Sequence, residues 1–238
     1  MNDPNNPGNG YSSAWAGHRA FAVVSYTKKY FGFGATGISV FSELRSLGNT
    51  SYITSGDLNG DGNSNDLLYI AKNVSEMVFD PYSVSASGGT PSATAPAVRT
   101  FTAAEQVTAW NSYINQDPYL RKHRGEYVEK GAVFLPTVFR ADVSLTQDIF
   151  ANLGGLRNKL QLRVDVLNAG NLLNKNWGGA QRLVSNTPLV VRPTPVATGI
   201  PLYRLRNIGT ELMKQSYQRT SDLSDVWRLQ LGLRYSFN

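Results

Sequence analysis

Residues 228–238 read RLQLGLRYSFN, and this stretch at the end of the chain decides the fold. Every second side chain in it is apolar, from Leu229 to Phe237, and the intervening ones are polar or small. Strict alternation over about ten residues matches the length of a β-strand that crosses a membrane. Tyr235 and Phe237 fall where an aromatic girdle at the membrane interface is expected.

Two earlier segments alternate in the same way. Residues 139–149 and 159–167 flank a turn rich in Gly and Asn, which predicts a hairpin with one apolar and one charged face. Residues 19–30 and 34–45 predict another hairpin that turns near Phe31. The sequence therefore predicts an all-β, antiparallel fold.

Two weaker strands are predicted at 180–190 and 201–208, with Pro193 and Pro195 in their connection. The total is about seven strands, which is odd and leaves two free edges. Open strand edges are not tolerated in lipid, and single-chain bacterial barrels have even strand numbers. We therefore expect the chain to be the C-terminal portion of a larger transmembrane β-barrel, completed by strands upstream.

Loop lengths predict an orientation. With the last strand running down to the periplasm, the short turns fall on the periplasmic side, at Phe31, Asn152 and Pro193. The longer connections fall outside, at residues 46–136, 169–179 and 209–225. Short periplasmic turns and long external loops are typical of outer-membrane barrels. A soluble β-sandwich is the alternative, because it explains the alternation equally well but the single long excursion less well.

Composition narrows the function classes. Charged residues make up 17% of the 238, below the roughly 25% usual for soluble domains. The net charge is +6, but the basic residues are scattered, so nucleic-acid binding is not expected. Cysteine is absent, which excludes disulfides and thiolate sites. The polar start at residues 1–10 reads as the middle of a loop and lacks a signal-peptide pattern, so we expect a fragment of a longer protein.

The long excursion contains a candidate calcium loop at residues 57–66. Oxygen-bearing side chains alternate along it and are followed by Gly62, as a loop wrapping calcium requires. The candidate ligands are Asp57, Asn59, Asp61, Asn63 and Asp66. The twelfth position of the pattern is Leu68 where a bidentate Glu is expected, so a metal-free Asn/Gly/Asp turn is the alternative.

A short helix is predicted in the same excursion, from Thr102 to about Ile114, with Thr102 as N-cap and Glu105 completing a capping box. Its packing face is predicted to comprise Val107, Trp110, Tyr113 and Ile114. Residues 117–127 mix charges and aromatics, which is typical of a salt-bridged loop or of a ligand contact.

Catalytic patterns are missing from the sequence, so an enzyme is not expected. There is no Gly-x-Ser-x-Gly, no His-Glu-x-x-His and no phosphate-binding glycine loop. Asp142 and Asp165 alternate with Arg140 and Arg163 on the polar faces of their strands. This arrangement favours a lumenal charge network over an acid/base pair.

Several segments in order resemble the C-terminal barrel of TonB-dependent outer-membrane receptors of the Bacteroidetes type, the Oar-like group in particular. Residues 56–70 and 113–125 carry the resemblance in the long excursion, through GDLNGDG, NDLLYI, YINQDPYL and KHRG. Residues 160–178 add LQ, DVLN, GNLLN and WG, and residues 227–237 add WRLQLGLRYSF. The match covers most of the chain from about residue 50 onward.

The resemblance implies a 22-stranded barrel whose lumen is filled by an N-terminal plug, the size class of large outer-membrane transporters. It also implies uptake energised through TonB by way of the plug, contact with outer-membrane lipid, and a C-terminal aromatic read by the barrel-assembly machinery. The ligand residues of the family have no counterpart here that the motifs identify.

Three functions are consistent with the sequence. The first is an outer-membrane receptor that imports an unidentified ligand and is represented here without its plug. The second is a barrel of the same build with a structural, adhesive or assembly role. The third is a soluble, calcium-bound β-domain that binds glycans.

Overall fold

The structure is a computed structural model that describes residues 9–12, 14, 17–60, 62–151, 158–192 and 200–237. The chain divides into two compact units. We call the first the loop unit; it comprises residues 1–15, 49–134 and 183–218. We call the second the sheet unit; it comprises residues 16–48, 135–182 and 219–238.

The described residues are mostly β-structure. The strands in chain order are β1 (Arg19–Tyr30), β2 (Gly34–Arg45), β3 (Asn49–Thr50), β4 (Tyr69–Ile70), β5 (Val78–Phe79), β6 (Tyr82–Ser85), β7 (Ala97–Phe101), β8 (Glu126–Tyr127), β9 (Val133–Phe134), β10 (Val138–Ala151), β11 (Asn158–Leu167), β12 (Gln181–Leu183), β13 (Leu189–Arg192), β14 (Leu202–Leu205), β15 (Asn207–Ile208), β16 (Glu211–Leu212), β17 (Tyr217–Arg219) and β18 (Arg228–Phe237). The α-helices are α1 (Ala103–Gln116) and α2 (Ala169–Leu173). Within the described residues, no helix is long and apolar enough to cross a membrane.

The sheet unit is built on one antiparallel sheet of five long strands in the order β1-β2-β10-β11-β18. Neighbouring strands are also consecutive among these five along the chain, so the sheet is a meander. The register places Tyr26, Ile38, Leu145, Val164 and Leu231 in one row across all five strands. Residues directly opposite each other share a face of the sheet, so this row lies on a single face.

The two central rows on that face are apolar across all five strands, whereas the row nearer the short turn includes Lys28, Thr36 and Gln147. The large apolar members of the face that are exposed are Val24, Tyr26, Ile38, Leu44, Phe139, Leu145, Leu162, Leu229, Leu231, Leu233, Tyr235 and Phe237. The next row, on the other face, consists of Ser25, Ser39, Ser144, Asp165 and Gln230. The sheet therefore has one mainly apolar and one mainly polar face, and the polar face also carries Phe21, Val23 and Phe41 at the β1–β2 edge. We call the face that carries the Ile38 row the apolar face.

A β-bulge preserves this segregation near the end of β10. The register shifts between Asp148 and Phe150, so that Phe150 pairs with Leu160. Without the bulge, regular alternation through Ile149 would turn Phe150 to the polar face. Its ring contacts that of Tyr235 at 6.5 Å between centroids.

The five strong strand predictions are confirmed. The hairpin at 19–30 and 34–45 has the predicted bounds, and the segments at 139–149 and 159–167 and residues 228–237 form β10, β11 and β18. The first turn contains Phe31 with φ 54° and Gly32 with φ 71°, and Gly32 adopts this backbone without cost.

The two weak strand predictions were wrong about the sheet. Residues 180–190 and 201–208 hold short strands that belong to small separate sheets, and β11 pairs directly with β18. The large sheet therefore has five strands rather than seven. Short apolar runs cannot by themselves specify a partner, because pairing depends on register across the whole strand. Pro193 and Pro195 lie outside the described residues.

The described strands do not close into a barrel, since β1 and β18 are each bonded on one side only. The connections at the two ends of the sheet nevertheless differ in length by more than predicted. Arg45 pairs with Val138 and Leu167 with Arg228, so both long excursions begin and end at the same end of the sheet. The excursions run over residues 46–137 and 168–227, and the turn at 31–33 lies at the opposite end.

Most of the loop unit comes from these two excursions, and it has a hydrophobic core of its own. Its largest fully buried side chains include Trp110, Tyr52, Tyr113, Phe101 and Leu68. Short antiparallel pairs surround the core, such as β6 with β7 and β13 with β14, and β14 also pairs parallel to β5. The excursion is thus a packed unit rather than an extended loop.

Helix α1 forms as the sequence predicts. Thr102 Oγ1 accepts from the Glu105 N–H, and the Glu105 carboxylate accepts from the Thr102 N–H in return. Trp110, Tyr113 and Ile114 are fully buried, and Val107 packs against the same core. Gln106 is also fully buried, which the apolar pattern did not predict.

We predict that Trp110→Ala lowers the free energy of unfolding of the loop unit by about 3–5 kcal/mol, because it leaves a cavity in the core. Urea unfolding monitored by near-UV circular dichroism measures the loss. Thr108→Ala on the exposed side of the same helix is the control, with an expected change within about 0.5 kcal/mol. Equal losses in both variants would contradict the assigned packing face.

Candidate functional site

The polar face of the sheet unit carries a charge cluster at its centre. The Arg163 guanidinium donates through Nε to both carboxylate oxygens of Asp165, at 2.9 and 2.8 Å. Ser144 on the neighbouring strand donates to the same carboxylate. The predicted partnership of Arg163 and Asp165 is therefore present, with a hydroxyl as third member.

The predicted partnership of Arg140 and Asp142 is absent, because each side chain has another partner. Arg140 donates through Nη2 to Asp225 Oδ1 at 2.9 Å and through Nε to the Gly178 carbonyl at 2.8 Å. Asp142 accepts from the Asn168 N–H at 2.7 Å. Adjacency on one strand face did not identify Asp225, which lies 85 residues further along the chain.

Asp225 is the centre of a second cluster at the long-excursion end of the sheet. Its side chain is only 5% exposed. Besides Arg140, it accepts hydrogen bonds from the Thr220 hydroxyl and from the Ala180 and Asp222 N–H groups. Burial raises the pKa of Asp225, but these hydrogen bonds and the Arg140 charge outweigh it and hold the pKa below its usual value. The cluster ties the two ends of the second excursion to β10.

The acidic loop at residues 57–66 is organised by its two described carboxylates. Asp57 accepts through one oxygen from the Gly60 N–H at 2.7 Å and through the other from the Gly62 N–H at 2.9 Å. Asp66 accepts through Oδ2 from the Leu58 N–H at 2.6 Å. Both carboxylates therefore face the backbone of the same loop.

Asp66 is unusual because it is 2% exposed and its second oxygen, Oδ1, has no hydrogen-bond partner. A buried carboxylate oxygen without a donor is costly, and a bound cation is one way to satisfy it. Asn59 and Asn63 are exposed, and Asp61 lies outside the described residues. Among described residues, no group of three His, Cys, Asp or Glu side chains is placed to hold a metal ion. Any site would therefore include amide or backbone oxygens.

Residues 117–127 are part of the packing of the loop unit. Asp117 is fully buried and accepts from the Tyr52 hydroxyl at 2.7 Å and from the Leu120 N–H at 2.8 Å. Burial raises the pKa of Tyr52, so its hydroxyl stays a proton donor. Arg124 donates to Asn111 and Asn115 on α1, each at 2.8 Å. These contacts pack the segment against the rest of the loop unit.

Comparison of the chain with protein-family models, curated protein sequences and solved structures gave no match. Any proposal for its function therefore rests on the arrangement of its own residues. The sheet offers an apolar face and a charged face, and the loop unit offers an acidic loop.

We predict that Asp225→Asn destabilises the folded sheet unit by about 3 kcal/mol at pH 7, because it leaves the partly buried Arg140 without its charge partner. The pKa of Asp225 is lower in the folded state, so its contribution is present at neutral pH. The difference from the unmodified chain should shrink as the pH falls below the usual aspartate pKa of about 3.9.

Urea unfolding in detergent at pH 7 and pH 3 measures both effects. Glu129→Gln at an exposed position is the control and should change stability by less than about 0.5 kcal/mol. A loss for Asp225→Asn that stays constant across this pH range would contradict the role of the charged carboxylate.

Proposed function

We propose that the chain is part of the β-barrel of an outer-membrane receptor that takes up a ligand, of the TonB-dependent type. The observation that carries the proposal is the apolar face of the sheet unit. Strands about 4.8 Å apart and about ten residues long give this face an area of the order of 700 Å². The largest exposed apolar patch on a soluble monomer is about 300–600 Å².

Lipid accounts for this face better than a second sheet does. In a sandwich, the apolar face would be covered at about 10 Å by the partner sheet. In the described part of the chain, Leu231 and Leu233 remain 68% and 70% exposed, and Val24 is 69% exposed. The face also has the length of the apolar band of outer-membrane barrels, about 25 Å.

Aromatic side chains at both ends of the strands support the same interpretation. At the short-turn end, exposed rings include Phe31, Phe33 and Phe237. At the long-excursion end, Phe139 and Trp227 are exposed. Aromatic girdles at the two membrane interfaces are typical of transmembrane barrels.

The remaining parts of the proposal follow from the open sheet. Unpaired strand edges at β1 and β18 require partners in lipid, which further barrel strands would supply. A barrel of 22 strands, a plug that engages TonB, and recognition of the C-terminal strand by the assembly machinery belong to this proposal. The polar face of the sheet would line the lumen of the barrel. The proposal includes no catalytic step. A barrel with a structural or adhesive role is the competing function, separated by whether ligand uptake depends on TonB.

We predict that Leu231→Arg destabilises the chain in lipid vesicles by about 2–4 kcal/mol, because it places a charge on the lipid side of the membrane-spanning region. Gln230→Arg is the matched control, since the neighbouring residue lies on the polar face. Folding into vesicles followed by urea titration measures both. Equal effects, or a chain that is monodisperse without detergent, would favour the soluble sandwich.

We also propose that residues 57–66 bind calcium, on the basis of the buried Asp66 Oδ1. One millimolar calcium should raise the thermal unfolding midpoint of the loop unit by several degrees, since a ligand at 100 times its Kd contributes about 2.7 kcal/mol. Asp57→Asn should reduce the shift, and Glu129→Gln should not. An unfolding midpoint that is the same in calcium and in chelator would contradict the site.

A further inference from the structure

The loop unit contains an open pocket of about 610 Å³ whose wall is strongly basic. It is lined by β6, the turn that follows it, and strands β13 and β14. Arg192, Arg204 and Arg206 all reach it, together with Tyr82 and Asn207. None of the described residues that line the pocket is acidic.

The positive charge of the pocket is only partly balanced. Asp80, next to the lining, is 2.6 Å from Arg204 Nη2 and 3.8 Å from Arg192 Nη1. Arg206 has no carboxylate partner within the described residues and donates instead to Thr187, through Nε to the carbonyl at 2.9 Å and through Nη2 to the hydroxyl at 2.8 Å. Three guanidinium groups therefore share one carboxylate, which leaves an excess of two positive charges.

Arg204 is held by Asp80 and Arg206 by Thr187, and both contacts use only Nε and Nη2 of the guanidinium. Arg204 lies over the ring of Tyr82 at 5.3 Å from its centroid. Burial raises the pKa of Tyr82 to about 12, so its hydroxyl remains protonated and donates to the Leu205 carbonyl at 2.6 Å. Within the described chain, the Nη1 groups of Arg204 and Arg206 have no protein acceptor in hydrogen-bond range.

The buried amide of Gln106 and the partly buried amide of Asn207 fix the wall and the rim of this pocket. Gln106 donates to the Asp80 carbonyl at 2.9 Å and accepts from the Leu205 N–H at 3.0 Å, which joins the two chain segments that carry Asp80 and Arg204. Asn207 donates to the carbonyls of Gly88 and Gly209 at 2.8 and 2.7 Å. A Cβ on Gly88 would lie 2.5 Å from the Gly209 oxygen, so the rim turn depends on glycine there. Side chains on a wall that is already fixed lose little conformational entropy when a ligand binds.

We infer that this pocket binds the oxyanion group of a small ligand, a carboxylate or a phosphate. Guanidinium groups match the geometry of both, with two parallel hydrogen bonds to one group. Ser83, Thr90 and Asn207 supply neutral hydrogen-bonding groups for the polar remainder of the ligand. The inference goes beyond the proposed transport function and depends on the loop unit alone.

The test uses the full chain in non-ionic detergent at low salt, with citrate as carboxylate probe, pyrophosphate as phosphate probe and maltose as neutral control. Isothermal titration calorimetry measures each Kd. Arg192→Gln should weaken binding of the accepted probe about ten-fold, because one charged hydrogen-bonding group is lost. Arg192→Lys keeps the positive charge but loses the paired N–H donors of the guanidinium. Its Kd should therefore lie between those of the unmodified chain and Arg192→Gln.

Arg121→Gln is the matched control, since it removes the same charge at an exposed position outside the pocket. Circular dichroism and thermal unfolding confirm that each variant is folded. Binding of citrate alone assigns a carboxylate ligand, binding of pyrophosphate alone assigns a phosphate ligand, and binding of both supports the shared chemistry. No binding of either probe at 10 mM (about a hundred-fold above a Kd of 0.1 mM), or equal weakening by Arg121→Gln, overturns the inference. A chain that binds in detergent but fails to enter vesicles would refute the proposed membrane role and leave this inference standing.

Discussion

The register of the antiparallel ladder is the constraint on which the rest of the sheet unit depends. Successive side chains of a strand point to opposite faces, so a slip of one residue would exchange the two faces of that strand. The rows through Ile38 and through Ser39 stay separate over five strands. The bulge at Ile149 restores the separation where β10 would otherwise lose it.

The two faces then divide the chemistry of the unit. Apolar side chains of β18 remain exposed on one face, where only an apolar medium or a partner would stabilise them. On the other face Asp165, and at the long-excursion end of the sheet Asp225, each have an arginine and a hydroxyl as partners. Charges kept in such networks are stable beside water and costly in lipid.

The loop unit is stabilised by a packed core rather than by long strand pairing. Segments from both excursions share one core around Trp110, and buried polar side chains join them where backbone pairing is short. Gln106 joins β14 to the residues after β5, and Asp117 joins α1 to Tyr52. The basic pocket and the acidic loop are therefore both positioned by packing within the loop unit.

The sequence by itself determined the five long strands, the capped helix and its packing face, because alternation, helical periodicity and capping are local properties of neighbouring residues. It also identified the Arg163–Asp165 pair, whose members lie two residues apart on one strand. Only the tertiary structure decided that β11 pairs with β18, that Arg140 pairs with Asp225, and that three arginines meet around Tyr82. The physical reason is that these contacts join residues far apart in the chain, and the energy that selects such partners comes from packing and desolvation of the whole unit rather than from any local pattern.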